Sequence, residues 1–154
     1  ISLRLVGSEM CIRDRFSGQV SGESIIEKNQ VEIKEIFEQE NIEEILNKTY
    51  SLSQNGSEFS KNTEHELKGK SPTSLKITFK QIHMATEMSL RDALIMEYRM
   101  VQRCQASGDF YEGVRAMLVD KDRNPQWKPS NLDKVDEIWV NHFFEPLHEK
   151  DLKI

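Results

Sequence analysis

Residues 109–125 read DFYEGVRAMLVDKDRNP, a stretch that joins a predicted helix to a strongly charged loop. Asp109 is predicted to cap the helix, because a carboxylate can accept the unpaired N–H groups of a first helical turn. The loop continues to KDRNPQWKP, in which two prolines restrict the backbone on either side of Trp127. The DKD group at 120–122 leaves two alternatives open, acid–base catalysis or surface ion pairs. The predicted apolar face of the helix consists of Phe110, Val114, Met117 and Leu118.

The pattern on both sides of this stretch predicts a chain that is nearly all α-helical. Apolar residues recur at helical spacing after small polar residues that can cap a helix, and no segment alternates as a strand does. The helix that begins with Pro72 is expected to bury one side, and the helix from 90 to 107 to bury two. Further helices are predicted over 31–37 and 133–144. The predicted caps are Asn41, Ser57, Ser71 and Ser89, and the side buried after Pro72 contains Leu75, Phe79 and Ile82.

Composition limits the class of protein. The chain has 154 residues, 37% of them hydrophobic and 31% charged, which is enough for one domain with a modest core. A net charge of −5 argues against nucleic acid or an anionic membrane as a partner, because phosphate binding requires clustered positive charge. No apolar run approaches the roughly 18 residues of a membrane helix. Cys11 and Cys104 form neither a disulfide framework nor a zinc-binding spacing, so we expect a soluble, thiol-reduced protein without a metal site.

The N-terminal sequence differs from the rest of the chain. ISLRLVGSEMCIRDR, residues 1–15, has no initiating methionine and lacks the order of a signal peptide. We interpret it as a non-native, adapter-like tract, followed by a lead or linker over 16–30 and a helical region over 31–154. On this interpretation the natural protein begins upstream of Phe16, and the chain is a fragment.

No catalytic motif is evident in the sequence. The four histidines have no metal-binding spacing, and the patterns of nucleophile elbows, phosphate loops and dinucleotide sites are missing. Cys104 is interpreted as a small buried residue, because no histidine or basic pocket is evident beside it. No catalytic residue is therefore assigned in this chain. Composition and motifs alone favour a helical interaction protein.

Three segments carry a family resemblance: SPTSLKITFKQI at 71–82, MEYRM at 96–100 and DFYEGVRAMLVDKDRNPQWKP at 109–129. From about Ile36 to the C-terminus the chain resembles the C-terminal part of the 3-hydroxyisobutyryl-CoA hydrolases, a branch of the enoyl-CoA hydratase/isomerase (crotonase) superfamily. The resemblance implies a mostly α fold class, the C-terminal helical region of a crotonase-type α/β spiral whose catalytic core is absent here. It also implies hydrolysis of 3-hydroxyisobutyryl-CoA in valine catabolism by the complete protein, with this fragment inactive.

The resemblance also implies binding residues and partners. In related hydratases an aromatic residue and a lysine of the C-terminal helices lie near the CoA nucleotide, and Phe110, Lys121 and Lys128 could serve similarly here. The alternative for Lys121 is a surface lysine paired to Asp120 or Asp122. The expected partner is a CoA thioester, with no cofactor, since the substrate carries CoA, and with no nucleic acid or membrane. A homo-oligomer and a mitochondrial location follow from resemblance alone. The alternatives are an enoyl-CoA hydratase or isomerase and a non-catalytic helical interaction protein.

Three structural expectations complete the sequence analysis. Gly113 lies within a predicted helix, where it costs roughly 1 kcal/mol relative to alanine, so we expect a tightly packed neighbour there. Trp127 is expected to fix its loop onto the helices. Glu97 and Arg99 are expected to form ion pairs that join the longest helix to the 109–125 stretch.

Overall fold

The computed structural model describes residues 22–154, and the adapter-like tract proposed for residues 1–15 lies outside them. The chain divides into two compact units, residues 1–34 and 35–154. A short helix, α1 (Ile25–Lys28), lies within the stretch predicted as a lead. It begins with a capping box, in which the Ser24 hydroxyl accepts the Glu27 N–H and the Glu27 carboxylate accepts the Ser24 N–H. Helix α2 (Gln30–Phe37) follows.

The second unit is a set of helices joined by short loops, and no β-strand occurs in the part of the chain that the structure describes. This agrees with the predicted fold class. No helix between residues 22 and 154 is long and apolar enough to cross a membrane. The remaining α-helices are α3 (Ile42–Gln54), α4 (Glu58–Lys68), α5 (Pro72–Ala85), α6 (Leu90–Ala106), α7 (Gly108–Val114) and α8 (Glu137–His142). A π-helix (Arg115–Val119) continues α7, and 3-10 turns occupy Leu132–Lys134 and His148–Lys150.

All four predicted caps upstream of residue 109 are confirmed. Each side-chain oxygen accepts the N–H of the third residue after it, at 2.8 Å for Asn41 and 3.1 Å for Ser57, Ser71 and Ser89. The contact satisfies one of the N–H groups that have no partner inside the first turn. Pro72 occupies the first turn of α5 as predicted.

Two helix boundaries differ from the prediction. Helix α7 begins at Gly108, and Asp109 lies inside its first turn instead of capping it. The helix predicted over 133–144 is divided by Val135, whose backbone is extended, and α8 begins only after Asp136, whose carboxylate accepts the Trp139 N–H at 2.6 Å. The Asp136 side chain thus caps a new helix start, and the chain does not continue as one helix from 133 to 144.

The buried residues form two clusters in the second unit, and α5 contributes to both. Its buried residues are Pro72, Thr73 and Ile77, of which Ile77 belongs to the first cluster, whereas Leu75 and Phe79 are half-buried against the second. Ile82 is 60% exposed, so the prediction that α5 buries the side with Ile82 is only partly correct. The first cluster consists of Ile77, Met96, Met100, Val135, Val140 and Phe143, and the second of Ile36, Ile42 and Ile45.

The predicted burial of α6 on two sides is wrong for the described chain. Met96 and Met100 are buried, but Leu90 is 78% and Val101 50% exposed. The apolar face predicted after Asp109 is also largely exposed, and Ala116 is the fully buried residue there. The change from α-helix to π-helix at Arg115 alters the angle between successive side chains, so the 3.6-residue period does not hold beyond Val114.

Candidate functional site

Trp127 joins its loop to α7, within the 109–129 segment, and to the turn between α4 and α5. Its indole N–H donates to the Gly69 carbonyl oxygen at 3.0 Å. Its ring covers Gly113 so closely that a Cβ atom at that position would lie 3.3 Å from the ring carbon Cη2. Both expectations are confirmed: Trp127 fixes the loop onto the helices, and Gly113 has a tightly packed neighbour. The close approach explains a glycine inside a helix, where it has no conformational advantage.

Asp109 connects the 109–129 segment to the 71–82 segment. One carboxylate oxygen accepts the Ser71 hydroxyl at 2.5 Å, and the other accepts the backbone N–H of Lys128 at 3.0 Å. The start of α5, the first turn of α7 and the proline-flanked loop thus meet at one carboxylate. Asp109 does not cap its own helix because its two oxygens are engaged by these distant donors.

Arg115 lies at the centre of the charged group that the sequence left open. Its Nε and one terminal nitrogen donate to the two oxygens of Glu112 at 2.9 and 2.8 Å. The other terminal nitrogen donates to Asp120 at 2.6 Å and to Asp122 at 2.7 Å. Asp120 and Asp122 therefore pair with Arg115. The alternative in which these aspartates pair with Lys121 is wrong. The separation of three residues between Glu112 and Arg115, typical of helical ion pairs, was the available signal in the sequence.

The electrostatics of this group disfavour acid–base catalysis. Hydrogen bonds from Arg115 and from the Gln126 N–H lower the pKa of Glu112 to about 2. Arg115 and the Asn124 N–H likewise lower the pKa of Asp122. A general acid or base works best when its pKa lies near the working pH. The pKa values of Glu112 and Asp122 are lowered, so both carboxylates stay ionised at neutral pH. The geometry therefore supports the ion-pair alternative over the catalytic one.

Glu112→Gln should reduce stability at neutral pH and flatten the dependence of stability on pH. The pKa of Glu112 falls from 4.5 when unfolded to about 2 when folded, so its stabilising contribution is complete above pH 4.5 and is lost as the pH decreases toward 2. Urea unfolding of both proteins across this range would test the prediction. Glu149→Gln, at an exposed carboxylate, is the matched control. Parallel curves for wild type and Glu112→Gln would contradict the prediction.

A large apolar cavity lies beside the joint made by Trp127 and Asp109. Its volume is ≈ 550 Å³, which is within the range of small-molecule sites. Ser71 and Asp109 contribute polar side chains to its wall, and Cys104 also lines it. Burial raises the pKa of the Cys104 thiol, which keeps the sulfur protonated and poorly nucleophilic. The main apolar lining consists of Ile42, Ile45, Leu75, Phe79, Phe110 and Trp127.

The structure does not gather the three predicted CoA contacts around one cavity. Phe110, 46% exposed, lines the large apolar cavity. Lys128 lines a second cavity of ≈ 400 Å³ together with Glu112 and Arg115. Lys121 lines neither of these and is exposed. Their roles as CoA contacts stay a prediction.

The ion pairs expected of the MEYRM segment have different partners. Arg99 forms a bidentate pair with Asp151, with Nε 2.9 Å from both carboxylate oxygens, and Glu97 accepts the Gln81 amide at 3.2 Å. Arg99 therefore joins the long helix to the C-terminal segment, and the prediction that it contacts the 109–125 stretch is wrong. The pair lowers the pKa of Asp151 and raises that of Arg99. Residues 22–154 contain no group of three or more histidine, cysteine or acidic side chains suited to a metal ion.

Comparison with known proteins identifies the family. A sequence profile for enoyl-CoA hydratase/isomerase matches residues 9–144. The chain is 42% identical over 132 residues to mitochondrial 3-hydroxyisobutyryl-CoA hydrolase of Gallus gallus, covering 86% of this chain and 34% of that protein. The Homo sapiens protein of the same name is 41% identical over 129 residues, which are 84% of this chain and 33% of the relative. The chain thus spans about a third of the length of these relatives.

Solved structures give the same assignment of fold. A carnitinyl-CoA dehydratase from Mycobacterium thermoresistibile superposes with a TM-score of 0.78 at 26% identity, over 88% of this chain and 38% of that one. An enoyl-CoA hydratase from Rhodobacter sphaeroides 2.4.1 superposes with a TM-score of 0.79 at 24% identity, over 97% and 44%. With the profile match covering most of its length, the chain belongs to the enoyl-CoA hydratase/isomerase family.

Proposed function

We propose that residues 31–154 are the C-terminal helical region of a hydrolase that converts 3-hydroxyisobutyryl-CoA to 3-hydroxyisobutyrate and free CoA in valine catabolism. The observation that carries the proposal is 40–43% identity, over most of this chain, to relatives named for that hydrolase. The hydrogen bond between Asp109 and Ser71 supports it, because this contact joins two of the three segments on which the resemblance depends.

The proposal assigns the catalytic groups to the rest of the complete protein and not to this helical region. Hydrolysis of a thioester requires donors aimed at the developing oxyanion and a group that activates water. Among residues 22–154 the acidic cluster around Arg115 is committed to ion pairs, and the thiol of Cys104 is protonated. We therefore propose that the reacting groups belong to the part of the relatives that this chain does not match, and that the isolated chain is inactive.

Several partners follow as parts of the same proposal. CoA is carried by the substrate, so no separate cofactor is required. Phe110, Lys121 and Lys128 are proposed to contact CoA, with the lysines acting as point charges on phosphate. A homo-oligomer is proposed, as is a mitochondrial location, which the names of the relatives support. Nucleic acid and membranes are not proposed as partners.

An exchange of segments would test the function. In the Gallus gallus hydrolase, the region aligned with this chain would be replaced by the matching part of this chain, and CoA release from 3-hydroxyisobutyryl-CoA would be measured. We expect kcat/KM within about tenfold of the unmodified enzyme, about 1.4 kcal/mol of activation free energy. The same enzyme truncated before the exchanged region is the control and should release no CoA.

The alternatives predict other outcomes of this exchange. Hydration of crotonyl-CoA without CoA release would favour a hydratase or isomerase. A chimera with native circular dichroism but neither activity would favour a non-catalytic helical interaction protein, for which the exposed apolar side of α6 is the supporting observation.

A further inference from the structure

The apolar cavity of ≈ 550 Å³ is one end of a longer groove along α5. A second cavity, of ≈ 280 Å³, lies between α5 and α6, and both cavities are lined by Ser74, Thr78 and Cys104. We call the two cavities together the α5 groove. Ile82 in the first and Val101 in the second are 60% and 50% exposed. Contiguous apolar surface that stays open to solvent marks a place where another surface binds.

The core beside the α5 groove is incomplete. Among the described residues, the second cluster has three buried members and six hydrophobic neighbours that are only partly buried, whereas the first has six buried and four partly buried. Leu67, Leu75 and Phe79 are partly buried against the second cluster and also line the groove. Apolar side chains inserted into the groove would complete this cluster, because burial of apolar surface is the main force that favours association.

The charged side chains in the wall of the α5 groove are already paired within the chain. A small-molecule site orients its ligand with a few free polar groups among apolar ones. Here the charged groups are engaged, so the groove offers mainly apolar surface, which suits the apolar side of a protein segment. The partners are Glu66 for Lys70, Ser71 for Asp109 and Gln81 for Glu97.

The concave shape of the groove distinguishes between two kinds of protein partner. In a dimer with twofold symmetry the same patch meets itself, so a groove would face a groove and both would stay open. Filling the α5 groove requires a protruding apolar segment from a different surface. The chain covers 34% of the Gallus gallus relative, so about two thirds of such a protein lies outside this region and can supply that segment.

We propose that the α5 groove is the surface on which an apolar segment of the rest of the complete protein packs, so that the second cluster becomes a closed core only in the complete protein. This inference rests on the proposed function in one respect, that the chain is a region of a longer protein. It does not depend on which reaction that protein catalyses.

Lysine substitutions in the groove test the interface. Ile82→Lys and Val101→Lys introduce a charge at positions that are open in the 154-residue chain, so the urea midpoint of that chain should not change. In the segment-exchange chimera each should lower the midpoint by about 1 M, because packing would take the charge out of water. Ile138→Lys is the matched control, at an 82% exposed residue that lines neither cavity, and should change neither protein.

Two outcomes of these substitutions would overturn the proposal. Unchanged midpoints for Ile82→Lys and Val101→Lys in the chimera would show that the groove stays open in the complete protein. Equal decreases in the chimera and in the 154-residue chain would show that these side chains stabilise only the helical region itself.

A dye that binds apolar surface, 8-anilinonaphthalene-1-sulfonate, gives an independent measurement. The 154-residue chain should enhance its fluorescence, because the α5 groove is open there. The chimera should enhance it no more than the unmodified Gallus gallus hydrolase does. Equal enhancement per mole by the chimera and by the 154-residue chain would contradict closure of the groove.

Sedimentation of the 154-residue chain tests a second copy as the occupant. We expect Ile82→Lys and Val101→Lys to leave its sedimentation coefficient unchanged. Dissociation of an oligomer by these two variants would assign the α5 groove to a second copy of the chain and overturn the proposal.

The outcome is separable from that of the proposed function. A folded chimera that releases no CoA but is selectively destabilised by Ile82→Lys and Val101→Lys would refute the hydrolase and leave the interface standing. An active chimera whose urea midpoint is unchanged by both variants would do the reverse.

Discussion

Trp127→Ala is expected to lower the free energy of unfolding by about 3 kcal/mol, the lower part of the range for replacing a packed tryptophan. The substitution removes the ring that covers Gly113 and the indole N–H that donates to Gly69. It also leaves the Gly69 carbonyl oxygen without this donor. Urea unfolding followed by circular dichroism, with an unchanged slope against denaturant, would measure the loss.

Trp139→Ala is the matched control for this prediction. Trp139 is 43% exposed and contacts His142 and Phe143 through its ring. Because these ring contacts lie within α8 and the turn after it, whereas Trp127 joins its loop to α7, we expect a loss of only about 1 kcal/mol, in proportion to the apolar area it buries. Equal losses for the two tryptophans would contradict the special role given to Trp127.

Gly113→Ala separates packing from helix propensity in the same joint. Alanine is favoured over glycine in a helix by about 1 kcal/mol, but its Cβ atom would lie 3.3 Å from the Trp127 ring, which the indole hydrogen bond restrains. We expect the substitution to be neutral or destabilising alone and to stabilise the Trp127→Ala variant by about 1 kcal/mol. The same effect in both backgrounds would mean that the ring and the glycine do not interact.

Phe143→Ala is expected to be still more costly, at about 4 kcal/mol. Phe143 is 1% exposed and belongs to the cluster that contains Ile77, Met96 and Val140, so its removal leaves a cavity enclosed by three helices and the turn after α8. Urea unfolding followed by circular dichroism would measure this loss as a lower urea concentration at the unfolding midpoint.

Phe110→Ala provides the control for Phe143. Phe110 is 46% exposed and lines the apolar cavity, so its replacement opens an existing space instead of creating an enclosed one. We expect a loss of about 1 kcal/mol, because the cost of a large-to-small change rises with the volume of the cavity it leaves. A loss at Phe143 no larger than that at Phe110 would show that the first cluster does not stabilise the fold as proposed.

The features that the sequence predicts correctly depend on neighbouring residues. Asn41, Ser57, Ser71 and Ser89 cap helices because an N-cap contact spans only three residues, and all four are found as predicted. Gly113 could also be interpreted correctly, since a glycine inside a helix requires a specific neighbour to offset its cost. The identity of that neighbour, Trp127, was not predicted, although Trp127 was expected to pack its loop onto the helices.

The features that the sequence predicts incorrectly depend on partners far along the chain. Arg99 pairs with Asp151, 52 residues away, and Asp109 accepts a hydrogen bond from Ser71, 38 residues before it. A periodic pattern shows that a side chain can turn toward the protein interior but not which atom it meets. The same limitation applies to the apolar face of α6, where Leu90 and Val101 are exposed although the pattern predicts burial.

For the 109–125 stretch, the sequence by itself carried the family resemblance and predicted a helix followed by a restrained loop. Both depend on neighbouring residues: the resemblance on a motif of consecutive positions, and the helix and loop on local backbone preference. Only the tertiary structure decided what its charges do. The acidic residues that allowed a catalytic interpretation surround Arg115, and Lys121 and Arg123 are left exposed. The reason is physical: a guanidinium with five donors gathers carboxylates according to their positions in space, and the π-helix that places Arg115 among them is not visible in a 3.6-residue period.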